Sequence, residues 1–86
     1  MQYDNHAAVL RLKAVTEADP GALVRVLQFF QARNVVPRRV IARRLGVEFL
    51  EIEIELEAAQ LPLDAFCIIV SKISELPIVM AAVACD

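Results

Sequence analysis

Apolar and polar positions alternate along the chain in distinct blocks, and the period changes from block to block. In residues 8–15, Leu10, Leu12 and Ala14 alternate with Val9, Arg11, Lys13 and Val15, the period of two that marks a half-buried strand. The pattern stops at Thr16-Glu17-Ala18. Past Asp19-Pro20-Gly21-Ala22 it turns helical, with Leu23, Val26, Leu27 and Phe30 at i, i+3, i+4 and i+7, a stripe that faces a core. Asp19 is the expected N-cap, and Pro20 suits the first helical position, where a missing donor costs nothing. Arg33 favours the negative end of the helix dipole and Asn34 can adopt the left-handed conformation that closes a helix, so the helix is expected to end near Arg33.

Two further strands are expected over residues 35–44 and 47–57. The second alternates Leu50, Ile52, Ile54 and Leu56 with Phe49, Glu51, Glu53 and Glu55. Leu45-Gly46 lies between them. A two-residue loop would set Val40 opposite Glu51. A three-residue loop with Gly46 in a left-handed bulge sets Val40 opposite Ile52, Ala42 opposite Leu50 and Arg39 opposite Glu53, with Arg43 beside Phe49, and is the register expected. Pro37 has no amide hydrogen for a ladder, which makes residues 35–44 an edge strand. Leu61-Pro62-Leu63-Asp64 then opens a second helix, with Phe66, Ile69, Val70 and Ile73 at helical spacing and Ser74-Glu75-Leu76-Pro77 as its stop. The last strand, 78–84, carries no charge on either face, so both faces, or one face and the edge, should be covered.

The order strand, helix, strand, strand, helix, strand, with right-handed crossovers, predicts an α+β fold: a ferredoxin-like βαββαβ two-layer sandwich, four antiparallel strands with two helices on one face. The 86 residues hold one domain, expected over 8–86, after a disordered tail over 1–7 that includes Tyr3 and His6. At 58% hydrophobic residues the chain is too apolar to be disordered. That excess in so small a sheet predicts burial against a partner, a homodimer or higher oligomer.

Net charge is −2, the wrong sign for a general nucleic-acid binder. Locally the balance differs. Arg33, Arg38, Arg39, Arg43 and Arg44 crowd together, and Glu48, Glu51, Glu53, Glu55 and Glu57 follow at once, so the two runs read as a pair. Arg11 and Lys13 interrupt the first apolar stretch, so no signal peptide is expected. The longest apolar run, 78–85, is far too short to span a membrane. A soluble cytoplasmic protein without membrane partners is expected. Cys67 and Cys85 form no Cys-x-x-Cys pair, and only one histidine is present, so buried or spare thiols are expected, with no metal.

The loop after the first strand tests the chemistries this architecture can carry. A soft-metal carrier needs two closely spaced thiolates there, and this chain has Thr16-Glu17-Ala18-Asp19-Pro20-Gly21. A phosphate cradle needs a Gly-rich loop and an Arg one turn into the helix; Glu17 and Asp19 would repel the anion, and Arg25 does not compensate. Base stacking needs aromatic residues on the central strands, yet the first strand has none and the third only Phe49 among glutamates. With no nucleophile and base pair, metal cluster or phosphate loop, no enzyme activity, catalytic residue or cofactor is expected.

The stretch LRLKAVTEADPGALVRVLQFFQARNVVPRRVIARR, residues 10–44, resembles an ACT domain, a small amino-acid-sensing regulatory module, and within that group is most similar to the small regulatory subunit of acetolactate synthase. Beyond residue 44 the agreement is in element order more than in letters. The resemblance implies a domain that dimerises through sheet edges and binds a small ligand, usually an amino acid, between one subunit's first loop and the neighbour's second strand. It places Ala18, Asp19, Gly21, Ala22 and Leu23 at the ligand from the loop, and Val36 and Arg38 from across the interface. The chain departs from the family at Val36, where an Asn usually contacts the ligand.

The chemistry of the loop is compatible with that role. Amides of Gly21, Ala22 and Leu23 at a helix start suit a carboxylate, Asp19 an ammonium, and Gly21 admits close approach to the backbone. Alternatively, Asp19 merely caps and Gly21 merely turns. Phe29, Arg39, Ile41 and Arg43 are expected at the interface. Twofold pairing about Ile41 sets Arg39 against Arg43 and Arg38 against Arg44, a like-charge cost that Glu51, Glu53 and Glu55 must neutralise; otherwise the cluster is the solvated face of an edge hairpin. The functional expectation is a non-catalytic regulatory protein that senses an amino acid or binds the catalytic subunit of a biosynthetic enzyme. The alternative is a ligand-free module that docks on a larger protein through Phe29 and the apolar last strand.

Overall fold

The computed structural model describes residues 8–85; the tail expected over residues 1–7 lies outside them. Strand β1 (Val9–Glu17) leads to helix α1 (Ala22–Gln31), strands β2 (Arg39–Leu45) and β3 (Phe49–Glu57), a single 3-10 turn (Ala58–Gln60), helix α2 (Leu63–Ser74) and strand β4 (Val79–Cys85). The sheet order is β2-β3-β1-β4, with every neighbouring pair antiparallel. This is the ferredoxin-like sandwich that the order of elements predicts.

One face of the sheet meets the helices. Leu12 and Ala14 of β1 and Ile52, Ile54 and Leu56 of β3 bury against Val26 and Phe30 of α1 and Phe66, Ile69 and Ile73 of α2, each large side chain contributing about 1.5–3 kcal/mol by leaving water. Thr16 is the one fully buried polar side chain among the described residues, and its Oγ1 donates to the Glu17 carbonyl at 2.8 Å.

Helix α1 begins later than expected. Gly21, not Asp19, is its N-cap, because residues 19–22 form a turn: the Ala22 amide donates to the Asp19 carbonyl at 3.0 Å and the Gly21 amide to Asp19 Oδ1 at 2.7 Å. The far end follows the expectation for Asn34, which takes φ 60°. Its amide donates to Gln31 O at 3.0 Å and that of Val35 to Phe30 O at 2.9 Å, a Schellman closure. The regular helix stops at Gln31, so Arg33 lies in this closure and not in the last turn.

Strand β2 also starts late, at Arg39 instead of residue 35, since the Val35 amide is spent on the helix and Pro37 has none to give. Pairing begins with the Arg38 amide on Glu55 O at 2.7 Å. The hairpin loop does have three residues, but Gly46, at φ 67°, is its first and not its second. Register therefore shifts by two from the expected one: Val40 faces Ile54, Ala42 faces Ile52, Arg39 faces Glu55 and Arg43 faces Glu51. A shift of two keeps every side chain on its face while exchanging the Arg43 and Phe49 contact for an ion pair, Arg43 Nε to Glu51 Oε1 at 2.8 Å.

β2 is an edge strand, as Pro37 requires. β4 occupies the other edge, with an irregularity where Val15 faces Ala81 and Thr16 faces Val79, so that Met80 is the extra residue. Ile78 and Val79 are buried, but Met80 is 49% and Val83 53% exposed. The cover expected for this strand is thus not supplied by the described residues.

Candidate functional site

The helices cover the inner strands and leave β2 open. Val40 is 38% exposed although it points to the helix side, and Ala42 and Arg44, on that same side, are exposed as well. Between this overhang and the loop from β1 to α1 runs a groove of about 350 Å³ lined by Ala18, Asp19, Pro20, Leu23, Ala42, Arg44 and Leu50. Its walls are mainly aliphatic, with one carboxylate and one guanidinium. Arg44 is steadied by donating from Nη2 to Val47 O at 2.8 Å. Aliphatic walls with one charge of each sign suit a small zwitterion.

Of the expected ligand residues, Ala18, Asp19 and Leu23 line this groove. Gly21 and Ala22 do not. Their amides are already bonded to Asp19, Ala22 is fully buried, and a Cβ on Gly21 would stand 3.2 Å from Asp19 Oδ1. The open backbone expected at Gly21 is thus filled by the chain's own carboxylate. Val36 and Arg38 lie at the opposite end of β2: Val36 is 73% exposed, and Arg38 Nε sits 3.7 Å from Glu55 Oε1. Within one chain they do not meet the loop. Phe29 is half-buried against the core on α1, whereas Arg39, Ile41 and Arg43 share the open face of β2, so these four do not form one patch. Ala42, Arg44 and Leu50 are not among the expected ligand residues; the alternations Val40, Ala42, Arg44 and Leu50, Ile52, Ile54 place them on the helix side, but only the absence of helix cover over β2 makes Ala42 and Arg44 accessible.

The open face of the sheet holds a second concavity, of about 290 Å³, lined by Arg11, Lys13, Arg39, Ile41, Glu53 and Glu55 among others. Cross-strand ion pairs lattice it. Arg11 Nε donates to Glu55 Oε2 at 2.8 Å, and Lys13 Nζ lies 3.6 Å from Glu53 and 4.0 Å from Glu51. The hydrogen bond from Arg11, joined by the charges of Arg11, Arg38 and Arg39 and opposed by partial desolvation, holds the Glu55 carboxyl below its ordinary value. Among the described residues no three His, Cys, Asp or Glu side chains cluster as metal ligands. Cys67 is a free, exposed thiol on α2, a spare thiol and not a buried one. No helix among the described residues is long and apolar enough to cross a membrane.

No family model matches the sequence, and no curated protein matches it. Solved structures do match. The ACT domain of GTP pyrophosphokinase from Chlorobium tepidum superposes with a TM-score of 0.74 at 9% identity, over 92% of this chain and 86% of that one. The fold is that of the ACT domains. The regulatory subunit of aspartate kinase from Thermus thermophilus gives 0.63 at 14% identity, over 92% of this chain and 51% of that one. The C-terminal domain of the MgtC protein from Mycobacterium tuberculosis gives 0.75 at 15%, over 98% and 92%. At such identities the likeness is one of fold.

Proposed function

We propose that the chain is a non-catalytic, ACT-type regulatory protein that takes a small amino acid into the groove beside α1, at the boundary with a second chain, and thereby regulates a biosynthetic enzyme. The observation that carries this reading is the groove itself, which gathers Ala18, Asp19 and Leu23 beside an open sheet edge. In a homodimer, twofold antiparallel pairing of β2 about Ile41 brings the copy's Val36 and Arg38 alongside Arg44, and so to the groove that one chain leaves unfinished. With the Gly21 and Ala22 amides engaged, the ligand carboxylate is assigned to Arg44 or to the copy's Arg38, and the ammonium to Asp19. Resemblance of residues 10–44 to acetolactate synthase small subunits makes such a synthase the first enzyme to try, although Val36 lacks the amide that those subunits use.

Calorimetric titration with each of the twenty amino acids tests the reading. Saturable heat with at least one, lost in Asp19→Ala, is the expected result; no heat with any removes the sensing role. The ligand-free docking module is favoured by a different observation, the exposure of Met80 and Val83 on β4. It predicts a large stoichiometric partner whose binding is weakened by Met80→Lys and indifferent to amino acids.

A further inference from the structure

β2 ends the sheet, so its outer edge pairs with no strand among the described residues. Every residue from 38 to 45 except Ile41 is exposed. Sheet edges of this length are templates for another strand unless charge guards them, and the charge here is of one sign. Arg39 and Arg43 stand on the open face and Arg44 on the helix side, beside Val40 and Ala42.

The inner neighbour shows what this row accepts. β3 sets Glu55, Glu53 and Glu51 against Arg39, Ile41 and Arg43, and sets Ile54 and Ile52 against Val40 and Ala42. On the open face one cation is left over. The two oxygens of Glu55 go to Arg11 and Arg38, and Arg39 makes no ion pair within 4 Å among the described residues. A second copy of β2 brings only arginines to it.

We propose that the β2 edge takes an extended segment of another protein, with acidic residues at alternate positions and aliphatic ones between, the pattern that β3 itself displays. Backbone pairing supplies affinity and the alternating side chains supply selectivity, as in other strand additions. The acids of the segment meet Arg39 and Arg43, while an aliphatic side chain on its other face reaches the groove beside Leu23 and Ala42. This goes beyond the small-ligand reading and uses the same edge: the segment competes with the second copy that would complete the amino-acid groove, so peptide binding is measured without amino acid and amino-acid binding without peptide.

The probe is a fluorescently labelled peptide with a central Glu-Ile-Glu-Val-Glu and soluble flanks, compared with its lysine-for-glutamate twin, on the full chain and on Arg39→Glu. Arg39 is exposed but faces Glu55 across the ladder, so Arg39→Gln, which adds no like charge there, is run beside Arg39→Glu; an amide spectrum checks the fold of both, and weaker binding of the acidic peptide is expected in both. Expected are saturable binding of the acidic peptide, a loss of about tenfold or more in Arg39→Glu, preference of that variant for the lysine peptide, loss of binding at about 0.5 M salt, and amide shifts centred on residues 38–45. Equal binding of both peptides to the native chain, no binding of either, an unchanged affinity in Arg39→Glu, shifts centred on β4, or a homodimer that the acidic peptide does not displace would each overturn it. Calorimetry with amino acids is a separate readout, so either reading can fail alone.

Discussion

Two residues shape the loops that frame the groove. Asn34 holds φ 60°, where an alanine pays about 1 kcal/mol or more for its Cβ and a glycine pays nothing. Asn34→Ala is therefore expected to lose about 1 kcal/mol in urea denaturation, and Asn34→Gly to lose none; equal loss in both would mean that the asparagine side chain, not the backbone, carries the closure. Asp19 closes its own turn through both its carbonyl and its carboxylate. This is why the loop's amides, open to a ligand on the sequence reading, are half spent in the fold.

Charge acts at the level of the sheet. Glu55 sits on β3 between Arg11 of β1 and the β2 arginines, and its carboxyl titrates below the ordinary value of 4.5. A carboxyl depressed in the folded state adds stability that is complete above its unfolded value and is lost as pH falls through the folded one. In a proton titration followed by NMR, Glu55 is expected to protonate at lower pH than an unperturbed glutamate. Arg11→Gln should return it toward 4.5 and flatten the acid-side loss of stability. A Glu55 midpoint that does not move in this variant would remove Arg11 as the cause. In the observed register of β2 the same lattice gains Arg43 against Glu51, where the expected register set Arg43 beside Phe49.

At the scale of the molecule, two helices cover an inner region of a four-stranded sheet and stop short of β2. Ile52, fully buried in the core between sheet and helices, is expected to cost about 2–5 kcal/mol as alanine. Val40, one strand further out on the same face, should change stability by no more than about 0.5 kcal/mol. Comparable losses at both sites in chemical denaturation would show that something covers β2 in solution, which a repeat at high dilution would trace to a second copy.

The order of elements, the buried faces of the inner strands and the helices, and the edge position of β2 are legible in the chain alone, because they rest on local periodicity and on Pro37, each read within a few residues. Where the hairpin turned, which loop amides were free, and which side chains lined a groove were tertiary decisions. They depend on which charges meet across strands, on a carboxylate folding back onto its own turn, and on where the helix layer ends, and none of these distances is written in a single segment of chain.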